Sequence, residues 1–215
     1  MKTKFLRRYT NLPFLFDMLQ NKRLTLLDPE KWEDKNDSCF IKHYKKEKKL
    51  KTLLALCFTE ADETFNHWKV FSDGSNGVCI QFKKNALLKH FSKADDSINI
   101  RTEKVKYKPI KDIDNNKIEL LDVPFIKRLP YKDEKEFRII CESAKKILKY
   151  KHIEISSNSI DRIIVNPWIS EPVFNSIKRT INVISDCNEL KVYKTTIIRN
   201  KQWENKVAAI VKQLL

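Results

Sequence analysis

Glycine is nearly missing from this chain: Gly74 and Gly77 are the only two among 215 residues, where average usage of ~7% would give about fifteen. Two glycines cannot build a Walker phosphate loop or a G-x-G-x-x-G dinucleotide turn. P-loop ATPases, protein kinases and ordinary Rossmann dehydrogenases are thereby excluded. Long apolar runs are also missing. No stretch approaches the ~18 residues of a spanning helix, and the start, MKTKFLRRYTNLPF, lacks the apolar region of a signal peptide. A cytoplasmic chain with no membrane partner is expected. The five cysteines, at 39, 57, 79, 141 and 187, contain no C-x-x-C pair; Cys57, Cys79 and Cys141 sit in apolar runs and read as buried thiols of a reducing compartment. The histidines, at 43, 67, 90 and 152, are scattered with no second ligand at metal spacing, so no metal is expected.

Positive charge is present in excess. Forty-three Lys and Arg against 28 Asp and Glu give +15, with a pI near 9.5. Such a field attracts polyanions, although lysine-rich solvated faces produce the same sum. With ~150 residues per domain as the usual prior, and no repeat or linker, residues 1–215 are expected to form a single domain.

The order of elements is interleaved without a regular βαβ alternation, which predicts an α+β fold with a mixed or mostly antiparallel sheet and flanking helices. A short N-terminal strand leads to a helix capped by Asn11 with Pro13 in its first turn. Strands are expected at 24–27, 53–59, 77–82, 98–107, 136–141, 153–155, 160–165 and 190–198. Helices are expected at 83–92, 117–128 (interrupted by Pro124), 171–184 and 203–215. Residues 31–40 read as a polar loop, 65–76 as an aromatic-rich connector, and KHYKKEKKLK (42–51), six lysines against one glutamate, as an exposed helix or mobile arm.

Four constellations could carry chemistry. Arg8 and Thr10, two apart on a strand, face one side and could grip a hydroxyl and a phosphate together; the alternative is that Arg8 is a surface cation. Trp32–Asp37 contains an Asx-turn pattern, with Asn36 and Asp37 as ligand candidates. Cys57-Phe58-Thr59 followed by His67, Trp68 and Phe71 could frame a planar ring or form a core lid. Glu134, Glu136 and Arg138 alternate along one strand face, with Phe137 and Ile139 on the other. This last set reads either as an exposed edge-strand ladder or as an acidic pair able to bind a ribose hydroxyl, steady an oxocarbenium cation and deprotonate a nucleophile.

The ordered blocks LRRYTN, KWEDKND, ALCFTE, HWKVFSDGSNGVCIQF, VKY and YKDEKEFRII resemble a bacterial domain family that includes abortive phage-infection proteins, over residues 5–165; residues 166–215 form a strand–helix extension outside it. Its pattern has Cys-Phe-Ser, Trp-x-x-Tyr, Gly-Val-Cys-Ile and Glu-x-Glu-x-Arg. Phe71 departs from the usual tyrosine, and Tyr131 stands where tryptophan is usual. The family's layout is in turn similar to the ADP-ribosyltransferase superfamily, including DarT-like toxins. That resemblance implies an ADP-ribosyltransferase-like fold and NAD as substrate. It implies Arg8 and Thr10 on the adenosine ribose or pyrophosphate, Thr59, Trp68 and Phe71 around the nicotinamide, Glu136 on the nicotinamide ribose, Glu134 on the acceptor, and Arg138 on Glu136 or the ligand.

The expectation is therefore an NAD-dependent toxin or anti-phage effector that modifies RNA or DNA, with an antitoxin or other defence subunit as a possible partner. Lys42, Lys45, Lys46, Lys48 and Lys49 are the nucleic-acid candidates. Two other readings stay open: a nuclease holding Mg²⁺ with Asp37, Glu134 and Glu136, and a binding module in which Lys42–Lys51 and Lys145–Lys151 track phosphates while Trp32 or Trp68 stacks bases.

Overall fold

The computed structural model describes residues 4–72, 74–92, 97–113 and 118–214; Asp73, Lys117 and Leu215, each within a segment read above, lie outside them. The chain is α+β. Its elements run β1 (Phe5–Asn11), α1 (Leu12–Asn21), β2 (Arg23–Leu26), α2 (Lys35–Glu47), β3 (Thr52–Thr59), α3 (Phe65–Phe71), β4 (Gly77–Lys83), α4 (Lys84–Leu88) and β5 (Asn99–Lys104). Then come β6 (Lys106–Lys108), β7 (Ile126–Arg128), β8 (Glu136–Ser143), β9 (Lys151–Glu154), β10 (Ile160–Val165), α5 (Glu171–Asn182), β11 (Val192–Lys194) and α6 (Lys201–Leu214).

Seven strands form one sheet in the order β11-β10-β4-β1-β3-β8-β5. Every neighbouring pair is antiparallel except β10–β11. Two short ribbons, β2–β9 and the parallel β6–β7, flank it. One sheet face carries Leu54, Leu56, Phe58, Phe137, Ile139 and Cys141 into the main core, under α1, which packs Leu15, Met18 and Leu19 there. The opposite face of β8 carries Glu136, Arg138, Ile140 and Glu142, and there Ile140 joins Ile41, Tyr44 and Phe125 in a second cluster. β8 is thus buried on both faces along its whole length, which excludes the exposed edge ladder.

The caps explain the helix starts. Asn11 Oδ1 accepts from Phe14 N at 3.2 Å, a contact typical of N-caps worth about 1 kcal/mol. The segment read as a polar loop becomes α2 because Asp34 accepts from the amides of Asn36 and Asp37; the same side-chain chemistry that makes an Asx-turn here starts a helix. The aromatic connector contains α3, capped by Thr64 on the His67 amide at 3.1 Å. The helix expected at 117–128 is replaced by a 3-10 segment (Leu120–Phe125) and β7, since Pro124 lacks the N–H that a continuing α-helix needs. The strand expected at 98–107 is split into β5 and β6, and that at 190–198 shrinks to three residues.

Candidate active site

β1 and β3 register at a single position, Arg7 opposite Thr59. Elsewhere along that seam the edge of β3 finds other partners: Ala55 exchanges both backbone bonds with Leu27, and the Cys57 carbonyl accepts from Arg8 Nη1 at 3.0 Å. A guanidinium thus replaces a strand where the seam opens. Beside it lies a cleft of about 570 Å³ lined by β1, β3, the start of α2, the end of α3, β7 and the chain entering β8. Arg8, Thr59 and Glu136 share this cleft. Arg8 is accordingly no surface cation; burial lowers its pKa below the usual arginine value.

The acidic side of the cleft is a line of alternating charges. Arg138 is fully buried and uses all five of its N–H groups. Its Nε and Nη2 donate to the two oxygens of Glu136 at 2.7 and 3.0 Å. Its Nη1 and Nη2 donate to the two oxygens of Asp37 at 3.0 and 2.7 Å, and Nη1 also donates to the Pro124 carbonyl at 2.8 Å. Its guanidinium lies 4.8 Å from the Trp32 ring centroid. Lys127 continues the line, with Nζ 2.6 Å from Glu134, 3.4 Å from Glu136 and 3.9 Å from Asp37. Three carboxylates against two cations leave one negative charge unmatched.

Burial opposes ionisation of Glu136, but the Arg138 guanidinium and then Lys127 bring its carboxyl down to about 2. It is a carboxylate at any physiological pH. Burial pushes the Glu134 and Asp37 carboxyls up, against the pull of Lys127 and Arg138 respectively. The Cys57 thiol, facing Glu136, is held well above the usual range by burial and by that carboxylate. It stays protonated and is no nucleophile.

Glu134 and Glu136 do not alternate along one strand. Glu134 ends a 3-10 segment (Leu129–Glu134), and Lys135 at φ 43° turns the chain before β8 begins. Both nevertheless line the cleft, because the turn re-aims Glu134 toward Lys127. Thr59 is held by its backbone neighbours: Oγ1 donates to the Glu134 carbonyl at 2.5 Å and accepts from Ala61 N at 2.9 Å. It clamps the Glu134 turn onto β3.

The aromatic wall differs from the one expected. Trp68 is fully buried beside Cys79 and Ile164, its Nε1 donating to Glu63 at 2.6 Å, and does not line the cleft. Tyr9 and Phe71 line it instead, with the buried His67 ring stacked between them, its centroid 5.5 Å from that of Tyr9 and 5.8 Å from that of Phe71. Phe71 is 42% exposed at its open end. Burial, with Arg7 nearby, lowers the His67 pKa, so this ring is neutral. Thr10 lies opposite Val78 and is absent from the cleft lining. Arg138 sits behind Glu136 as its support. Lys42, Lys46, Lys48 and Lys49 are exposed, Lys45 pairs with Glu30 at 2.9 Å, and none of the five reaches the cleft.

Lys127, Tyr107 and Arg7 were assigned no role from the sequence, and Tyr9 was noted only beside Arg8 and Thr10. Tyr107 accepts from the Glu136 amide at 2.8 Å. Arg7 anchors β1 through Gln81, the Ala61 carbonyl and Asp62. A lysine in a segment read as helix offers no signal, whereas the adjacent Arg7-Arg8 pair on a strand could have marked both faces.

The site defined by these contacts is a cleft at the open seam of a mixed sheet, with an ionised carboxylate beside a second, higher-pKa carboxyl, and a cation and stacked rings on its other walls. A family profile described as "Protein of unknown function (DUF2971)" matches residues 67–139. No curated protein matches. Among solved structures, the chain is similar to Thermus sp. 2.9 DarT in complex with NAD+, at 8% identity, over 93% of this chain and 99% of that one, with a TM-score of 0.47. It is likewise similar to the same protein in complex with ADP-ribosylated ssDNA, at 8% identity over 94% and 97% with a TM-score of 0.47, and with carba-NAD+, at 10% identity over 94% and 98% with a TM-score of 0.44. At these values function has to be read from the cleft itself.

Proposed function

We propose that this protein is an ADP-ribosyltransferase that consumes NAD and modifies a nucleic acid. The observation that carries the reading is the unmatched negative charge of the Asp37–Arg138–Glu136–Lys127–Glu134 line, which faces a cleft also lined by Arg8 and Phe71. Breaking the bond between a ribose C1′ and a ring nitrogen releases nicotinamide with the bonding electrons and leaves positive charge on the sugar. A preorganised anion lowers the energy of that state most when it needs no reorganisation, and Glu136 is held by Arg138 in one orientation. Glu136 is assigned to the ribose and its developing charge. Glu134, which lines the cleft beside Glu136 and whose proton affinity burial raises, is assigned to accept the proton of the incoming nucleophile as its bond to C1′ forms. Arg8 serves the pyrophosphate, and the open face of Phe71 stacks the nicotinamide. The role of Thr59 is to position Glu134.

The donor set argues against the nuclease reading. Asp37 and Glu136 each give both oxygens to Arg138, and Glu134 is paired with Lys127, so binding Mg²⁺ would mean displacing both cations from buried positions. Among the described residues no group of three or more His, Cys, Asp or Glu side chains is placed to hold a metal ion.

The test is nicotinamide release from NAD in the presence of single-stranded DNA or RNA. The wild-type protein is expected to release it and Glu136→Gln to lose at least a hundredfold. Equal release by both would overturn the assignment.

A further inference from the structure

A second hollow, of about 260 Å³, adjoins the cleft, and Asp34, Asp37 and Lys127 line both. Its apolar lining includes Phe40 and Ile126, with Ile110 beside them 67% exposed. Its rim carries Lys108 and Arg128. The parallel register of β6 and β7 sets these two cations directly opposite one another, so both project from one side of the ribbon, about 4.8 Å apart at the backbone.

Their neighbours on the ribbon are matched, Lys106 by Asp122 and Lys127 by Glu134, but among the described residues neither Lys108 nor Arg128 has an ion pair. Two like charges side by side repel unless an anion joins them. A forked guanidinium with an ammonium beside it suits a phosphodiester, whose two free oxygens can take both. An apolar lining next to the phosphate position, exposed at Ile110, half-buried at Phe40 and buried at Ile126, suits the flat face of a base, which stacks without regard to sequence.

We infer that this hollow is a subsite for one nucleotide of a single-stranded nucleic acid, its phosphate on Lys108 and Arg128 and its base over Ile110, Ile126 and Phe40. Because Lys127 forms the shared wall and contacts Glu134, a strand seated here presents its neighbouring nucleotide to the proposed base. That delivery rests on the function proposed above, whereas the binding itself does not.

The experiment is fluorescence anisotropy of a labelled mixed-sequence DNA oligonucleotide without NAD, over a range of salt. The Lys108→Ala/Arg128→Ala double variant is expected to bind at least tenfold more weakly, with its log–log salt slope shallower by about 0.7, the loss of one neutralised phosphate on a single strand. Ile110→Glu, at an exposed position, should weaken binding comparably, while Lys42→Ala/Lys46→Ala changes it less. Unchanged melting temperatures check that the variants fold, and nicotinamide release without oligonucleotide should be unchanged. Wild-type-like binding and slope in the double variant, absence of binding by the wild type, or displacement of the oligonucleotide by millimolar inorganic phosphate or by polyglutamate at equal charge would each overturn the subsite. Loss of binding in the variants of a protein that never consumes NAD would uphold the subsite and defeat the proposed function.

Discussion

Replacing Asp37 by alanine tests the buried charge line through stability, independently of any activity. Asp37 is 4% exposed, and both its oxygens are taken by Arg138, at 2.7 and 3.0 Å. Hydrogen bonds to charged groups contribute about 1.5–3 kcal/mol each, so losing these two costs about 3–5 kcal/mol by leaving buried guanidinium N–H groups without acceptors, even though Glu136 still balances the Arg138 charge. Arg138, with no exposure at all, cannot swing to water. For a chain of this size about 2–4 °C of melting temperature goes with each kcal/mol, so Asp37→Ala should melt about 6–20 °C lower by circular dichroism at neutral pH. Asp37→Asn keeps one carbonyl acceptor and should lose roughly half as much. Removing Arg138 as well, as Asp37→Ala/Arg138→Met, should cost far less than the two single losses added together. A melting temperature for Asp37→Ala within about 2 °C of wild type, or strict additivity in the double variant, would refute the buried bidentate pair.

Three further expectations follow from particular contacts. The stability gap between wild type and Glu136→Gln should be full above pH 5 and close as pH falls toward 2, because a carboxyl depressed from 4.5 to about 2 on folding contributes about 3 kcal/mol that protonation removes; urea titrations across that range read it, and a gap that widens in acid would contradict the assignment. Thr59→Val deletes both the bond to the Glu134 carbonyl and the acceptor for Ala61 N. It should cost about 1–3 kcal/mol in denaturant melts and lower transfer to the acceptor more than nicotinamide release. Gly77→Ala places a Cβ 2.3 Å from Ser72 Cβ and 3.3 Å from its Cα, an overlap expected to cost about 1–3 kcal/mol and to be partly relieved by Ser72→Gly.

Legibility in the sequence followed the strength of local signals. The strands around Phe58, Ile80 and Ile139 were readable because unbroken apolar runs mark strands buried on both faces, and α1 because Asn11 and Pro13 punctuate it. The i, i+2 spacing of Glu136 and Arg138 next to Phe137 and Ile139 put the two on one strand face, where the structure has them, but left open whether that face was exposed or buried. What spacing could not show is that Lys135 takes a left-handed conformation, which moves Glu134 off the strand yet keeps it in the cleft. Nor could it show that Arg138 spans from Glu136 to Asp37, a hundred residues away in the chain. Trp68 and His67 exchanged roles because neighbours on a helix point in different directions: the tryptophan went to the core, and the less conspicuous histidine took the place between Tyr9 and Phe71.

The central claim, that Glu136 steadies positive charge on a ribose carbon while Glu134 frees an acceptor on nucleic acid, is tested most directly by intact-mass spectrometry of an oligonucleotide incubated with NAD and the purified protein. The account predicts a product heavier by one ADP-ribose with the wild type, none with Glu136→Gln, and nicotinamide release without attachment for Glu134→Gln. An oligonucleotide of unchanged mass after NAD has been consumed by the wild type, or full modification by Glu136→Gln, would contradict it.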